Sequence, residues 1–262
     1  MTGSGNDFVF LDARSIPAGS LETAPAIEAL CDRRRGIGAD GVVFLDADTE
    51  HAYGIRYFNR DGSLAEFCGN ASLCSVTLAT ELGAVRRGER FTFRTSSGPI
   101  PGRLSTSGPE VGMPPVADAN PSFPAELEPG EERIGFARVG VPHLVVACAD
   151  LEAVDVHARG RALRYLPSLK AGANVNFVGR RGSEWSYRTY ERGVEEETLA
   201  CGSGSVAAAA MLISWSGERD PVRLITRSGA ALTVSFQDGS PVLSGEGRLV
   251  FQGVLRDVSP AL

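Results

Sequence analysis

The feature that most constrains this chain is that it repeats itself. Cys68-Gly-Asn-Ala-Ser-Leu-Cys74 and Cys201-Gly-Ser-Gly-Ser-Val206 each open an uncharged run. Arg56-Tyr-Phe-Asn59 precedes the first and Arg188-Thr-Tyr-Glu191 the second, while Arg94-Thr-Ser-Ser-Gly-Pro-Ile100 is answered by Thr226-Arg-Ser-Gly-Ala-Ala-Leu232. Upstream, Asn6-Asp-Phe-Val-Phe-Leu11 matches Pro142-His-Leu-Val-Val146, and Gly36-Ile-Gly-Ala-Asp40 matches Gly172-Ala-Asn-Val-Asn176. The pairs keep their order at an offset of about 130 to 136 residues. Such self-similarity marks a duplicated structural unit. With 262 residues, the chain is long enough for two halves, each with its own core.

The seam between the halves falls in Gly112 to Gly130, where five prolines are expected to break regular structure. The reading is therefore an N-terminal half over 1–115 and a C-terminal half over 116–251, with 252–262 as a strand returning to the first half. Short β-branched or alternating runs predict strands at Phe8–Leu11, Val42–Leu45, Phe91–Thr95, His143–Ala147, Val222–Thr226, Leu232–Phe236 and Arg248–Phe251. Gly and Pro turns between them suggest a mostly antiparallel sheet. Helices are predicted at Pro25–Arg34, Asn70–Leu82, near Arg161–Leu169, and at Gly202–Trp215. The fold class is α+β, with two pseudo-symmetric domains of like fold, each a curved, mostly antiparallel sheet or barrel around a central helix.

Two of those helices begin at the repeated Cys-Gly. A helix N-terminus leaves up to four N–H groups unpaired and carries partial positive charge, so it suits a carboxylate and favours thiolate over thiol. Cys68 and Cys201 could each be a small core residue. Their symmetric placement points instead to chemistry: one thiol takes a proton from a carbon and the other returns one on the opposite face. The carbanion formed between these steps would be stabilised by helix N-termini directed at the substrate carboxylate, and no metal is required.

Other chemistries find little support. A net charge of −6 argues against a nucleic-acid surface. No signal peptide precedes Phe8, and the uncharged run Thr198–Gly217 reads as a buried helix rather than a membrane span. Five cysteines form an odd set unlike a secreted disulfide framework, which suggests a cytoplasmic protein with reduced thiols. The histidines His51, His143 and His157 are scattered without metal-ligand spacing, and Gly202-Ser-Gly-Ser205 lacks the frame of a nucleophile elbow. Lys170, the one lysine, lies in no repeated block and suggests no pyridoxal phosphate site.

The residues resemble the diaminopimelate epimerase family, cofactor-independent enzymes that interconvert LL- and meso-diaminopimelate. The resemblance rests on Gly5-Asn-Asp-Phe-Val9, Arg34-Arg-Gly-Ile-Gly-Ala-Asp40, Phe58-Asn59, Cys68-Gly-Asn70, Pro142-His143, Asn174-Val-Asn-Phe177, Glu191-Arg-Gly193 and Glu197-Thr-Leu-Ala-Cys-Gly-Ser-Gly204. It implies that Cys68 and Cys201 are the acid/base pair, facing each other across the reacting carbon in a cleft between the domains, with His143 and Glu191 assisting the thiols. Gly69-Asn70 and Gly202-Ser203 would offer N–H groups to the reacting carboxylate. Asn6, Asn59, Asn174 and Arg192 would hold the remaining amino and carboxyl groups, with Arg192 on the distal carboxylate. The resemblance further implies no cofactor, a homodimer, and a place in lysine and peptidoglycan synthesis.

Some positions depart from the family pattern. The family usually carries a further strand ahead of Gly-Asn-Asp-Phe. Val141 stands where many members have Asn at the distal end of the substrate, Gly41 where some have Gln, and Ala71-Ser-Leu-Cys74 where Gly-Ala-Arg-Cys is commoner. These leave open a related racemase of another amino acid, or a non-catalytic amino-acid binder.

Overall fold

The computed structural model describes residues 1–65 and 67–255. The chain divides into two compact units, Met1–Val111 with the segment from Gly245 onward, and Gly112–Ser244. The division thus falls at Gly112 and Gly245, against the expected 115/116 and 252.

In the first unit β1 (Thr2–Gly3), β2 (Asn6–Asp12), β3 (Gly41–Asp46), β4 (Gly54–Asn59), β5 (Phe91–Thr95), β6 (Gly98–Ser105) and β7 (Gly108–Gly112) pair in chain order. The second unit contains β8 (Val116–Asn120), β9 (Glu131–Val139), β10 (Val141–Cys148), β11 (Asn174–Arg181), β12 (Glu184–Glu191), β13 (Glu196–Thr198), β14 (Val222–Ile225), β15 (Ala231–Gln237) and β16 (Ser240–Ser244). These also pair in chain order, except that β14 lies beside β12 and β13 pairs only with β12.

Most neighbours are antiparallel, but β2–β3, β4–β5, β10–β11 and β12–β14 are parallel. The expectation of a mostly antiparallel sheet omitted these four pairs. Each is bridged by a helix: α1 (Ala24–Cys31), α2 (Gly69–Glu81), α3 (Val156–Arg164) and α4 (Gly202–Ser216) respectively. A parallel neighbour can be reached only by a crossover, and here the helix supplies it. Each unit accordingly runs through the same order of antiparallel pair, crossover, hairpin, crossover and hairpin.

The crossover helices are of two kinds. In α1 the buried residues Ala26, Ile27, Leu30 and Cys31 form one stripe, as do Val156, Gly160 and Leu163 in α3. One apolar stripe is the pattern of a helix laid on a sheet with its other face in water. By contrast α2 is buried almost throughout from Gly69 to Ala79, and α4 from Gly202 to Leu212. α4 packs against β8, β9, β10, β11, β12, β14, β15 and β16, so the sheet of its unit wraps around it. Its Gly, Ser and Ala residues keep it slim enough to be surrounded. It ends at Gly217, whose φ of 62° is the left-handed conformation glycine adopts without strain. Among the described residues no helix is long and apolar enough to cross a membrane.

Three local expectations need correction. The helix placed near Arg161–Leu169 runs over Val156–Arg164, because Asp155 caps its start by accepting from Ala158 N–H at 3.0 Å and Pro167 disfavours continuation. The proline-rich seam holds β8, since Pro115 and Pro121 flank that strand rather than interrupt it. Arg248–Phe251 is no strand: Arg248 forms a single bridge to Thr2, since two-residue β1 provides no longer ladder. The same holds for 252–255 of the expected returning strand, and 256–262 lie outside the described residues.

Candidate active site

In the second unit three adjacent strands and one helix start assemble the residues around Cys201. Side chains alternate along a strand, so Tyr187, Thr189 and Glu191 share one face of β12. Asn176 on β11 lies directly opposite Thr189, and β11 runs parallel to β10 with Asn174 opposite His143.

Cys201 is the N-cap of α4, with φ −129° and ψ 112°. Its backbone is held from both sides by the hydroxyl of Tyr187, which accepts from Cys201 N–H at 3.0 Å and donates to Cys201 C=O at 3.1 Å. Tyr187 is fully buried; without its oxygen that N–H would be stranded, at a cost of about 1–3 kcal/mol. The thiol is hydrogen-bonded to the Glu191 carboxylate, and its sulfur lies 3.7 Å from Ser203 Oγ. Thr198 Oγ1 also donates to Glu191 Oε1. Burial raises the pKa of Glu191, partly offset by the hydrogen bonds from Thr198 and Cys201. A carboxylate brought nearer to a thiol in basicity can take the thiol proton and return it.

His143 is completely buried, and its pKa is pushed down to about 3 by burial and by the Arg192 cation. It is therefore neutral. Its Nδ1 lies 3.3 Å from Asn176 Nδ2, and its Nε2 meets no hydrogen-bond partner among the described residues. Asn174 Oδ1 accepts from the backbone N–H of Arg192 at 2.8 Å, so this asparagine places Arg192. The Arg192 guanidinium donates to Ala171 C=O at 3.3 Å and forms no ion pair among the described residues. Nearby Arg164 and Arg188 are both neutralised, by Glu195 and Glu197. Arg192 thus remains available to an incoming anion.

In the first unit Cys68 is the N-cap of α2, with φ −140° and ψ 113°, almost the backbone conformation of Cys201. Its sulfur accepts from Ala71 N–H at 3.5 Å, and Ile55, Tyr57, Phe67 and Thr95 line the hollow beside it. Asn6 and Asn70 meet: Asn70 Nδ2 donates to Asn6 Oδ1 at 2.6 Å, and Asn6 Nδ2 donates to Asp40 at 3.0 Å. Asn70 Oδ1 is buried without a hydrogen-bond partner among the described residues. Asn59, at the end of β4, binds Ser63 Oγ at 3.0 Å and helps close the turn that follows. Gly69 and Gly202 are the buried first residues of their helices, where amides lack intrahelical acceptors.

The structure thus gathers His143, Asn174, Glu191, Arg192, Gly202 and Ser203 near Cys201, and Asn6, Gly69 and Asn70 near Cys68. Tyr187, Thr189, Asn176 and Thr198 escaped the sequence reading. The alternation Tyr187-x-Thr189-x-Glu191 was the available signal, pointing to one strand face. Among the described residues no three His, Cys, Asp or Glu side chains gather as a metal site would require.

Known proteins resemble the chain over nearly its whole length. The family described as diaminopimelate epimerase matches residues 1–116 and 135–251. The chain is 43% identical over 271 residues to a diaminopimelate epimerase of Gemmatimonas aurantiaca, covering 97% of this chain and 96% of that one. The chain belongs to the diaminopimelate epimerase family. Another family member, from Aquifex aeolicus, is 36% identical over 98% of this chain and 96% of its own. Two solved structures share the fold at low identity. A putative phenazine biosynthesis protein from Clostridium difficile has a TM-score of 0.72 at 16% identity, covering 97% of this chain and 94% of that one. A probable proline racemase from Agrobacterium radiobacter has a TM-score of 0.65 at 17% identity, covering 98% and 92%.

The five cysteines of this family member divide by environment. Burial pushes Cys31 up to about 11, and Cys74 and Cys148 up to about 12. Cys68 is half-buried at a helix start. A thiol-alkylating reagent at neutral pH is therefore expected to modify Cys68 well before Cys31, Cys74 or Cys148. Peptide mass mapping checks this, and labelling of Cys74 as fast as Cys68 would contradict it.

Proposed function

We propose that this protein epimerises LL-diaminopimelate to meso-diaminopimelate by two-base proton transfer, without pyridoxal phosphate. The observation that carries this reading is the pair of cysteines, one per unit, each capping the start of a buried helix in nearly the same backbone conformation. One sulfur, as thiolate, removes the α-proton. The other, as thiol, delivers its own proton to the opposite face, and the two protonation states are exchanged. Negative charge developing on the α-carboxylate is met by helix N-terminal amides, where partial positive charge is fixed in place.

The other residues divide the remaining work. Glu191 resets Cys201 between turnovers. Arg192, free of any carboxylate among the described residues, suits the distal carboxylate of a di-acid. Asn70 Oδ1, without a partner among the described residues, is an acceptor for a substrate amino group. The setting this reading requires is a cytoplasm that keeps thiols reduced, in lysine and peptidoglycan synthesis; a homodimer is the quaternary form proposed with it.

Incubation of the purified protein with LL-diaminopimelate in deuterium oxide, with no added cofactor, tests the proposal. The meso isomer should accumulate carrying deuterium at the inverted carbon. If neither inversion nor deuterium incorporation is seen, while a mono-carboxylic amino acid is racemised, the substrate assignment fails.

A further inference from the structure

His143 sits in a hydrogen-bond chain whose directions are set by chemistry. Asn176 is fully buried, and one atom of its side-chain amide lies 3.0 Å from the carbonyl oxygen of Leu144. A carbonyl only accepts, so that atom is the amide nitrogen. The amide oxygen is then the atom that accepts from Thr189 Oγ1 at 3.0 Å. The same amide nitrogen faces His143 Nδ1 at 3.3 Å. An amide NH2 donates and does not accept, so Nδ1 must present its lone pair. In a neutral imidazole the proton then resides on Nε2.

We propose that Asn176 and Thr189 are positioning residues that lock His143 as its neutral Nε2–H tautomer, making it a hydrogen-bond donor to the charge of proton transfer and leaving the role of base to Glu191. The functional half rests on the epimerase reading; the tautomer does not. The Nε2–H is buried with no partner among the described residues, which is costly unless an anionic group arrives to accept it.

The same chain accounts for the last glycine in Cys201-Gly-Ser-Gly204. A Cβ at position 204 would lie 2.2 Å from Asn176 Oδ1 and 3.2 Å from Cys201 Cβ. Only glycine lets the asparagine and the cysteine approach one helix turn together. The Cys201 motif and the His143 lock are therefore parts of one packed cluster.

Long-range proton–nitrogen NMR of the 15N-labelled, substrate-free protein reads the tautomer directly, with His143 assigned by its loss in His143→Gln. The expected result is a protonated Nε2 and an unprotonated Nδ1 at neutral pH. An Nδ1–H tautomer or an imidazolium would overturn the proposal, whatever the protein's activity. In Asn176→Leu, His143 should populate both tautomers, and kcat should fall about 10–100-fold, the scale on which losing an orienting partner acts. A wild-type tautomer in that variant would remove Asn176 from the lock. If the variant does not fold, the wild-type spectrum alone decides.

Discussion

Cys201→Ser is expected to lower the rate of epimerisation by about 10²–10⁴-fold, the loss typical of removing a positioned acid or base. The fold should survive, because serine is nearly isosteric and its hydroxyl can still donate to Glu191. The Tyr187 hydroxyl clamps only main-chain atoms of residue 201, so that contact is untouched. The two-base reading makes a sharper demand. With Cys68 intact, the stereoisomer whose α-proton Cys68 removes should exchange that proton for deuterium without inverting, while the other isomer should do neither. NMR of each pure isomer in deuterium oxide measures both outcomes. Inversion near the wild-type rate would remove Cys201 from the reaction.

Glu191→Gln should damage activity and improve stability at neutral pH, an unusual combination that follows from the raised pKa of this buried carboxyl. The unfolded chain ionises Glu191 at lower pH than the folded one. Its favourable contribution to folding is therefore present below the unfolded pKa and is lost as pH rises through the folded pKa. Glutamine avoids that loss and can still accept from Thr198, so the variant should melt above wild type at pH 7, with the gap closing on acidification. Its kcat should fall about 10²-fold, and the acid limb of the wild-type profile, displaced above the usual carboxylate range, should vanish. A variant that melts below wild type at pH 7 would mean that the hydrogen bonds outweigh the burial.

The four α-helices among the described residues were legible in the chain, two of them to within two residues, because proline at a first turn, glycine beyond an end and long uncharged runs act locally. The strands were less so. β6 carries Pro99 and Pro101, and β8 reads Val-Ala-Asp-Ala-Asn, so neither shows the usual β-branched alternation. The parallel pairings were invisible, since a strand's direction relative to its neighbour is decided by the connection and not by its composition. Within the site, Cys68, Cys201, Glu191 and Arg192 stood out through the repeat and the family motif. Tyr187 and Asn176 did not, because a buried tyrosine and a strand asparagine read as core until their partners are known.

The sequence by itself determined the duplication, the two Cys-Gly helix starts and the family, since all three are patterns of residue identity at fixed spacing. Tertiary structure alone decided which atoms meet. Tyr187 gripping the backbone of Cys201, Glu191 reaching its thiol and Asn176 facing His143 join residues from separate strands and a helix. Hydrogen bonds depend on distance and direction within tenths of an ångström, and those are settled only when the strands have paired and the helix has been enclosed.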